Sequence, residues 1–196
     1  TKPLTRDQYL AEATQFGGPA RLRPARRHCI PQGTTPEGEL KTRCIDDFRR
    51  NGINDVTDRH NVCDLPSLLT MLWAAKEIVR GCIARHIPVP PLTIGLDDVE
   101  KAYRTVAQMI GACAFVIWYS FVAACWVVQR IFGHAYGHAQ ANINFSRLPR
   151  LACYVTLVMF LVLVWHYIDD FMNIDLACGG GTAQLCLETV MLGFGW

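Results

Sequence analysis

Apolar residues recur at helical spacing from Leu65 onward, with Leu68, Leu69, Leu72, Val79, Cys82 and Ile83 on one stripe, which predicts a helix beginning at an Asp64 cap. Pro66 suits its first turn, and the helix must end before Pro88. Pro88-Val89-Pro90-Pro91 forces extended chain, so residues 92–96 read as a strand that arrives at Asp97-Asp98. A helical segment over 100–110 follows, then a β-branched and aromatic hairpin over 113–129 that turns near Tyr119-Ser120. Gly133 and Gly137 mark a turn. A helix over 139–160, interrupted near Pro149, precedes a strand running into Tyr167-Ile168-Asp169-Asp170. The tail reads as a helix capped by Thr182 with Gly193 just past its end. Ahead of all this, residues 1–40 are broken by Gly17, Gly18, Pro19, Pro24, Pro31, Gly33, Pro36 and Gly38, and are expected to be loop and short helix. Residues 41–48 form a short strand leading into the turn Asn51-Gly52-Ile53-Asn54.

Two stretches, 105–129 and 151–168, carry no Asp, Glu, Lys or Arg, and each is about long enough to cross a bilayer as a helix. A two-span membrane protein is therefore a competing reading. Against it stand the β-branched composition of the first stretch and the carboxylate pair that closes the second, which is costly in lipid. Over the 196 residues, 51% are hydrophobic, which excludes a disordered tail, and the formal charge of +2 gives no global field for nucleic acid. Residues 1–60 hold eleven basic and eight acidic side chains, with Arg21, Arg23, Arg26 and Arg27 as a local cluster that is either a solvated run or a phosphate-facing patch. The nine cysteines form no C-x-x-C pair, so a disulfide framework is not expected and an intracellular, cytoplasmic or nuclear, reducing setting fits better. Among six histidines only His134 and His138 have helical i,i+4 spacing, and no Glu completes a zinc-protease signature. The N-terminus has neither an initiating Met nor a signal peptide's apolar core, and the chain reads as a piece of something longer.

The chemistry lies in the acid pairs. Asp97-Asp98 and Asp169-Asp170 close two strands about seventy residues apart, and one sheet could bring them to a common edge. Converging carboxylates repel unless a cation neutralises them. Magnesium suits such a site because it takes one or two protein carboxylates and leaves room for substrate phosphates. Either pair alone reads better as a solvated turn, since Asp-Asp dipeptides are common at surfaces.

Three segments resemble one family in order and spacing. Tyr167-Ile168-Asp169-Asp170 resembles the Y-x-D-D motif of reverse transcriptases, set between two palm strands, here 161–166 and 171–176. Asp98-Val99-Glu100-Lys101-Ala102-Tyr103 is similar to their first palm motif, D-V/L-x-x-A-F/Y. Lys41-Thr42-Arg43-Cys44-Ile45-Asp46-Asp47-Phe48-Arg49-Arg50-Asn51 resembles a fingers strand of the form K-x-R-x-x-x-D-F/Y-R-x-x-N. For the second palm motif, Gly137 with Phe145 meets the family spacing, while Phe132-Gly133 is closer to the family's F-G turn.

The resemblance implies an α+β fold: a right-hand polymerase palm, with an antiparallel sheet packed on helices, and part of the fingers. Residues 1–90 would be fingers-like and 91–196 palm-like, ending before primer grip, thumb and any ribonuclease H domain, so that this piece alone would bind primer-template poorly. It implies RNA-directed DNA synthesis on an RNA template and DNA primer, from deoxynucleoside triphosphates. Asp98, Asp169 and the Val99 carbonyl would hold two Mg2+ ions, or Mn2+, with Asp170 as a weaker ligand. Lys41 and Arg43 would take the triphosphate, Tyr103 would stand against the sugar, and Gly137 would line the nucleotide pocket. An inert retroelement remnant and an RNA-dependent RNA polymerase are the other readings, and Tyr103 argues against the latter.

Overall fold

The computed structural model describes residues 2–57, 66–99, 102–107 and 114–196. Asp64, Leu65, Glu100 and Cys113 lie outside the described residues. The chain is α+β, with a four-stranded and a three-stranded sheet, and divides into two compact units that each draw on two stretches of sequence.

The first unit comprises Thr1–Asn61 and Tyr103–Ala141. It opens with α1 (Arg6–Gln15), started by a reciprocal capping box in which Gln8 N–H donates to the Thr5 hydroxyl and Thr5 N–H to the Gln8 carbonyl oxygen. Its sheet runs β2 (Leu40–Asp47), β1 (Ala25–Thr34), β4 (Ala114–Ser120), β5 (Cys125–Ile131); β1 is antiparallel to β2 and parallel to β4. β1 corrects the expectation of loop over 1–40. Its arginines and Pro31 carry no strand pattern, and pairing with β2 from Arg26↔Asp47 to Thr34↔Leu40, with a register shift between Pro31 and Thr34, supplies what local sequence does not. The hairpin over 114–131 is as expected, with the turn slightly later. Ala25, Phe48, Val116, Ile131 and Ala135 form the core beneath this sheet.

Two glycines fix how the loop after β5 packs. A Cβ on Gly137, whose φ is +95°, would stand 2.3 Å from the Asp46 carbonyl oxygen, and one on Gly133 would stand 2.3 Å from that of Arg104. Both are backbone contacts that cannot swing aside. Of the expected 100–110 helix, residues 100–101 and 108–110 lie outside the described residues, and the part between them holds one turn, α4 (Ala102–Thr105), which ends where Ala107 bridges Gly133.

The second unit comprises Val62–Ala102 and Asn142–Trp196. Its sheet is antiparallel in the order β3 (Leu92–Asp98), β7 (Asp170–Leu176), β6 (Val164–Tyr167). α3 (Leu68–Ala84) stops, as expected, before Pro88. Its buried face is the opposite of the expected stripe: Met71 and Ala74 are buried while Leu69, Leu72 and Ile83 are exposed. The helix is apolar on most sides, so periodicity does not select one. α5 (Ala141–Phe160) passes through Pro149 without the expected break, and the strand that follows begins at Val164 rather than at 161. α6 (Thr182–Gly193) is started not by Thr182 but by Asp175, whose carboxylate accepts from Ala183 N–H at 3.0 Å. Phe145, Phe171, Leu187 and Ala152 are buried in this unit.

Among the described residues the two uncharged stretches do not form the expected bilayer-crossing helices. The second is divided between α5 and β6, and among the described residues no helix is long and apolar enough to cross a membrane.

Candidate active site

β3 and β7 pair from Leu92↔Leu176 to Asp98↔Asp170, so the last residue of one strand stands opposite the first residue of the other. β6 and β7 are joined by a two-residue turn, Ile168-Asp169, closed by the pair Tyr167↔Asp170. Ile168 has φ +60°, a conformation that costs a β-branched residue about 1–2 kcal/mol and that this tight turn imposes. Val99 N–H donates to the Asp169 carbonyl at 3.1 Å, tying the end of β3 to the turn. Asp98, Asp169 and Asp170 therefore share one sheet edge, and Val99 lies directly beside them.

Strand alternation separates the members of the first acid pair. Asp98 is exposed on the same face as Leu96 and Ile94, whereas Asp97 is half-buried on the face that meets α6. Burial pushes the Asp97 carboxyl up, Glu188 adds to this, and a hydrogen bond with Gln184 opposes it. Gln184 also accepts from the buried Asn173 amide at 2.8 Å. Asp97 thus belongs to the packing of α6 on the sheet. The Asp170 carboxyl is also pushed up, first by burial and then by the charges of Asp169 and Asp98. That mutual repulsion is what a cation at this edge would relieve.

Among the described residues no three or more His, Cys, Asp or Glu side chains converge closely enough to hold a metal by themselves. The donor set suits a cation that completes its shell elsewhere: hard carboxylate oxygens, few in number, at an exposed edge. The Val99 carbonyl accepts from Ala102 N–H at 3.2 Å and keeps a second lone pair.

Lys41, Arg43, Tyr103 and Gly137, the residues expected on the nucleotide side, lie in the first unit. Arg43, on β2, sits over the Tyr136 ring at 5.9 Å, Arg104 lies over the same ring at 5.8 Å, and Tyr103 meets it edge-on at 5.1 Å. Arg43 and Tyr103 are thus drawn to one aromatic centre, and Tyr136 and Arg104 are residues that sequence reasoning missed. Tyr136 sits between two turn glycines, where nothing in the pattern marks it. Lys41 is exposed on β2. Gly137 is spoken for by its packing on Asp46, and its carbonyl accepts from the Asn54 amide at 2.9 Å. Of the four clustered arginines, Arg27 is no solvated residue: its guanidinium is bidentate to the buried Asp46.

His134 and His138 stack at 6.0 Å, and no third ligand among the described residues joins them. Burial pushes both imidazoles down, as it does the buried His166 in the second unit. A histidine held neutral when folded stabilises the fold fully above its unfolded value, about 6.5, and that contribution is lost as pH falls towards the folded value. Stability is accordingly expected to fall below about pH 6.5, by at most about 1.4 kcal/mol per pH unit for each imidazole, and the thermal midpoint with it. A scanning-calorimetry series in which the midpoint stayed level between about pH 7.5 and 5.5 would contradict this.

No protein-family model matches the chain, and no curated protein matches its sequence significantly.

Proposed function

We propose that this chain carries the catalytic carboxylates of an RNA-directed DNA polymerase, with residues 1–90 fingers-like and residues 91–196 reverse-transcriptase-palm-like. The supporting observation is the register Asp98↔Asp170 with Asp169 in the adjoining turn, which brings acids about seventy residues apart in sequence to one sheet edge. Neither acid pair needs that arrangement for stability, since like charges side by side disfavour it.

Asp98 and Asp169, with the Val99 carbonyl, hold Mg2+ or Mn2+, and Asp170 assists as the weaker ligand. Two such ions, when bound, stabilise the attacking and leaving oxygens of nucleotidyl transfer. The protein's part is to fix the carboxylates before substrate arrives: the two-residue turn and the Val99–Asp169 hydrogen bond limit how far they can move. In the first unit, Arg43 and Lys41 supply positive charge for a triphosphate, and Tyr103 supplies an aromatic bulk suited to excluding a ribose hydroxyl. Gly137 contributes through its turn, not through a side chain. The partners are an RNA template, a DNA primer and deoxynucleoside triphosphates.

The test is iron-directed cleavage of this chain. Fe2+ substituted for Mg2+, with ascorbate and peroxide, should cut the backbone beside Asp98 and at Ile168–Asp170, and excess Mg2+ should protect both places. Asp169→Asn should lose both cuts together. Cuts at only one place, or cuts that Mg2+ leaves unchanged, would mean that no cation bridges this edge.

A further inference from the structure

Cys29 and Cys44 are directly opposed on β1 and β2, with Sγ···Sγ at 3.1 Å, and both are exposed. Fifteen residues separate them in sequence. Neither has a role in the proposed polymerase chemistry. They line a cavity of about 940 Å3, together with Arg26, His28, Arg50 and Trp118. The hydrogen bond with Cys29 pushes the Cys44 thiol up, with burial adding to it.

We propose that Cys29 and Cys44 are a redox modification site that forms a reversible disulfide across the β1–β2 ladder by exchange with a low-molecular-weight disulfide such as oxidised glutathione. Three features carry this. The sulfurs are already nearer than ordinary non-bonded contact, and a movement of about 1 Å closes the bond. They are exposed, so a small disulfide can reach them. They are directly paired residues of the ladder, so the backbone already holds them opposite one another.

The exchange balances in two steps. One cysteine thiolate attacks a glutathione sulfur, forming a mixed disulfide and releasing one glutathione thiolate, which takes up the proton. The second cysteine sulfur then attacks the protein sulfur of that mixed disulfide, so the Sγ–Sγ bond forms as the second glutathione leaves and is protonated. Both cysteines are oxidised and one glutathione disulfide is reduced to two thiols. The second step is intramolecular, which favours it over capture of another glutathione. The inference does not depend on the polymerase reading, because it concerns only the hairpin.

The reduced full chain should be equilibrated in glutathione buffers of rising oxidised fraction, quenched by acid and alkylation, and mapped by peptide mass spectrometry. A cross-linked pair joining Cys29 to Cys44 is expected at an oxidised fraction about tenfold below that which modifies any other cysteine, and dithiothreitol should reverse it. Cys29→Ser should leave Cys44 carrying a stable glutathione adduct. In wild type, phenylarsine oxide, which needs two sulfurs in reach of one arsenic, should protect both from alkylation, a readout that requires no variant to fold. Separate glutathione adducts on both cysteines without a cross-link, a cross-link that forms no earlier than other modification, or failure of the arsenical to protect the pair would each overturn the proposal.

Discussion

Asp98→Asn and Asp169→Asn are each expected to abolish primer extension by the gene's full open reading frame, lowering the rate about a hundredfold or more, while binding of template-primer changes little. Asparagine keeps the shape and the hydrogen-bonding oxygen, so the strand pairing and the Val99–Asp169 backbone bond should survive. What it removes is the negative charge with which, on the proposed reading, each side chain would hold a hard cation. Asp170→Asn should do less, because its charge is already opposed by two neighbouring carboxylates. Asp97→Asn is the internal control. Asp97 faces α6, so its loss should alter stability and leave the chemistry untouched. If either Asp98→Asn or Asp169→Asn kept more than about a tenth of the rate, a barrier change under roughly 1.4 kcal/mol, the carboxylates would not be metal ligands.

The contrast between Asp97 and Asp98 shows how much of the site the sequence makes legible. An apolar run ending in two acids announces a strand edge, and β3 and β7 lie where their patterns place them. Which acid points outward follows from the period of two only once one face is known to be covered, and α6 supplies that knowledge. Other parts were hidden for physical reasons. β1 is written in arginines and turn formers and becomes a strand through pairing on both sides. α3 is apolar around most of its circumference, so its stripe could not tell the core from the surface. Tyr136 gathers Arg43, Arg104 and Tyr103 from a loop that has no periodicity at all. The closeness of Cys29 and Cys44 was equally invisible, since a spacing of fifteen residues means nothing until the hairpin and its irregular register are known.

Asp46→Ala is expected to be the most destabilising single change in the first unit, at about 3–5 kcal/mol. Its side chain is fully buried, and its two oxygens receive Arg27 Nε at 2.7 Å and an Arg27 terminal nitrogen at 3.1 Å, with Arg104 at 3.5 Å. Removing the carboxylate leaves the Arg27 guanidinium largely desolvated over the Trp118 ring, with Gln129 at 3.1 Å as its remaining oxygen partner among the described residues. An uncompensated buried charge is the dominant cost, more than the lost attraction. Asp47→Ala, one residue on, should cost at most about 1 kcal/mol, because among the described residues that carboxylate receives just the Arg50 backbone N–H, in a turn. The neighbouring acids are alike in sequence and opposite in face, so urea denaturation of the two variants separates the ion-pair account from general sensitivity of the strand. Combining Asp46→Leu with Arg27→Met removes both charges and should recover much of the loss, since a buried pair replaced by apolar side chains of similar volume is often close to neutral. If Asp46→Ala and Asp47→Ala shifted the urea midpoint equally, or if the double variant were no more stable than Asp46→Ala, the stranded guanidinium would not be what the first unit loses.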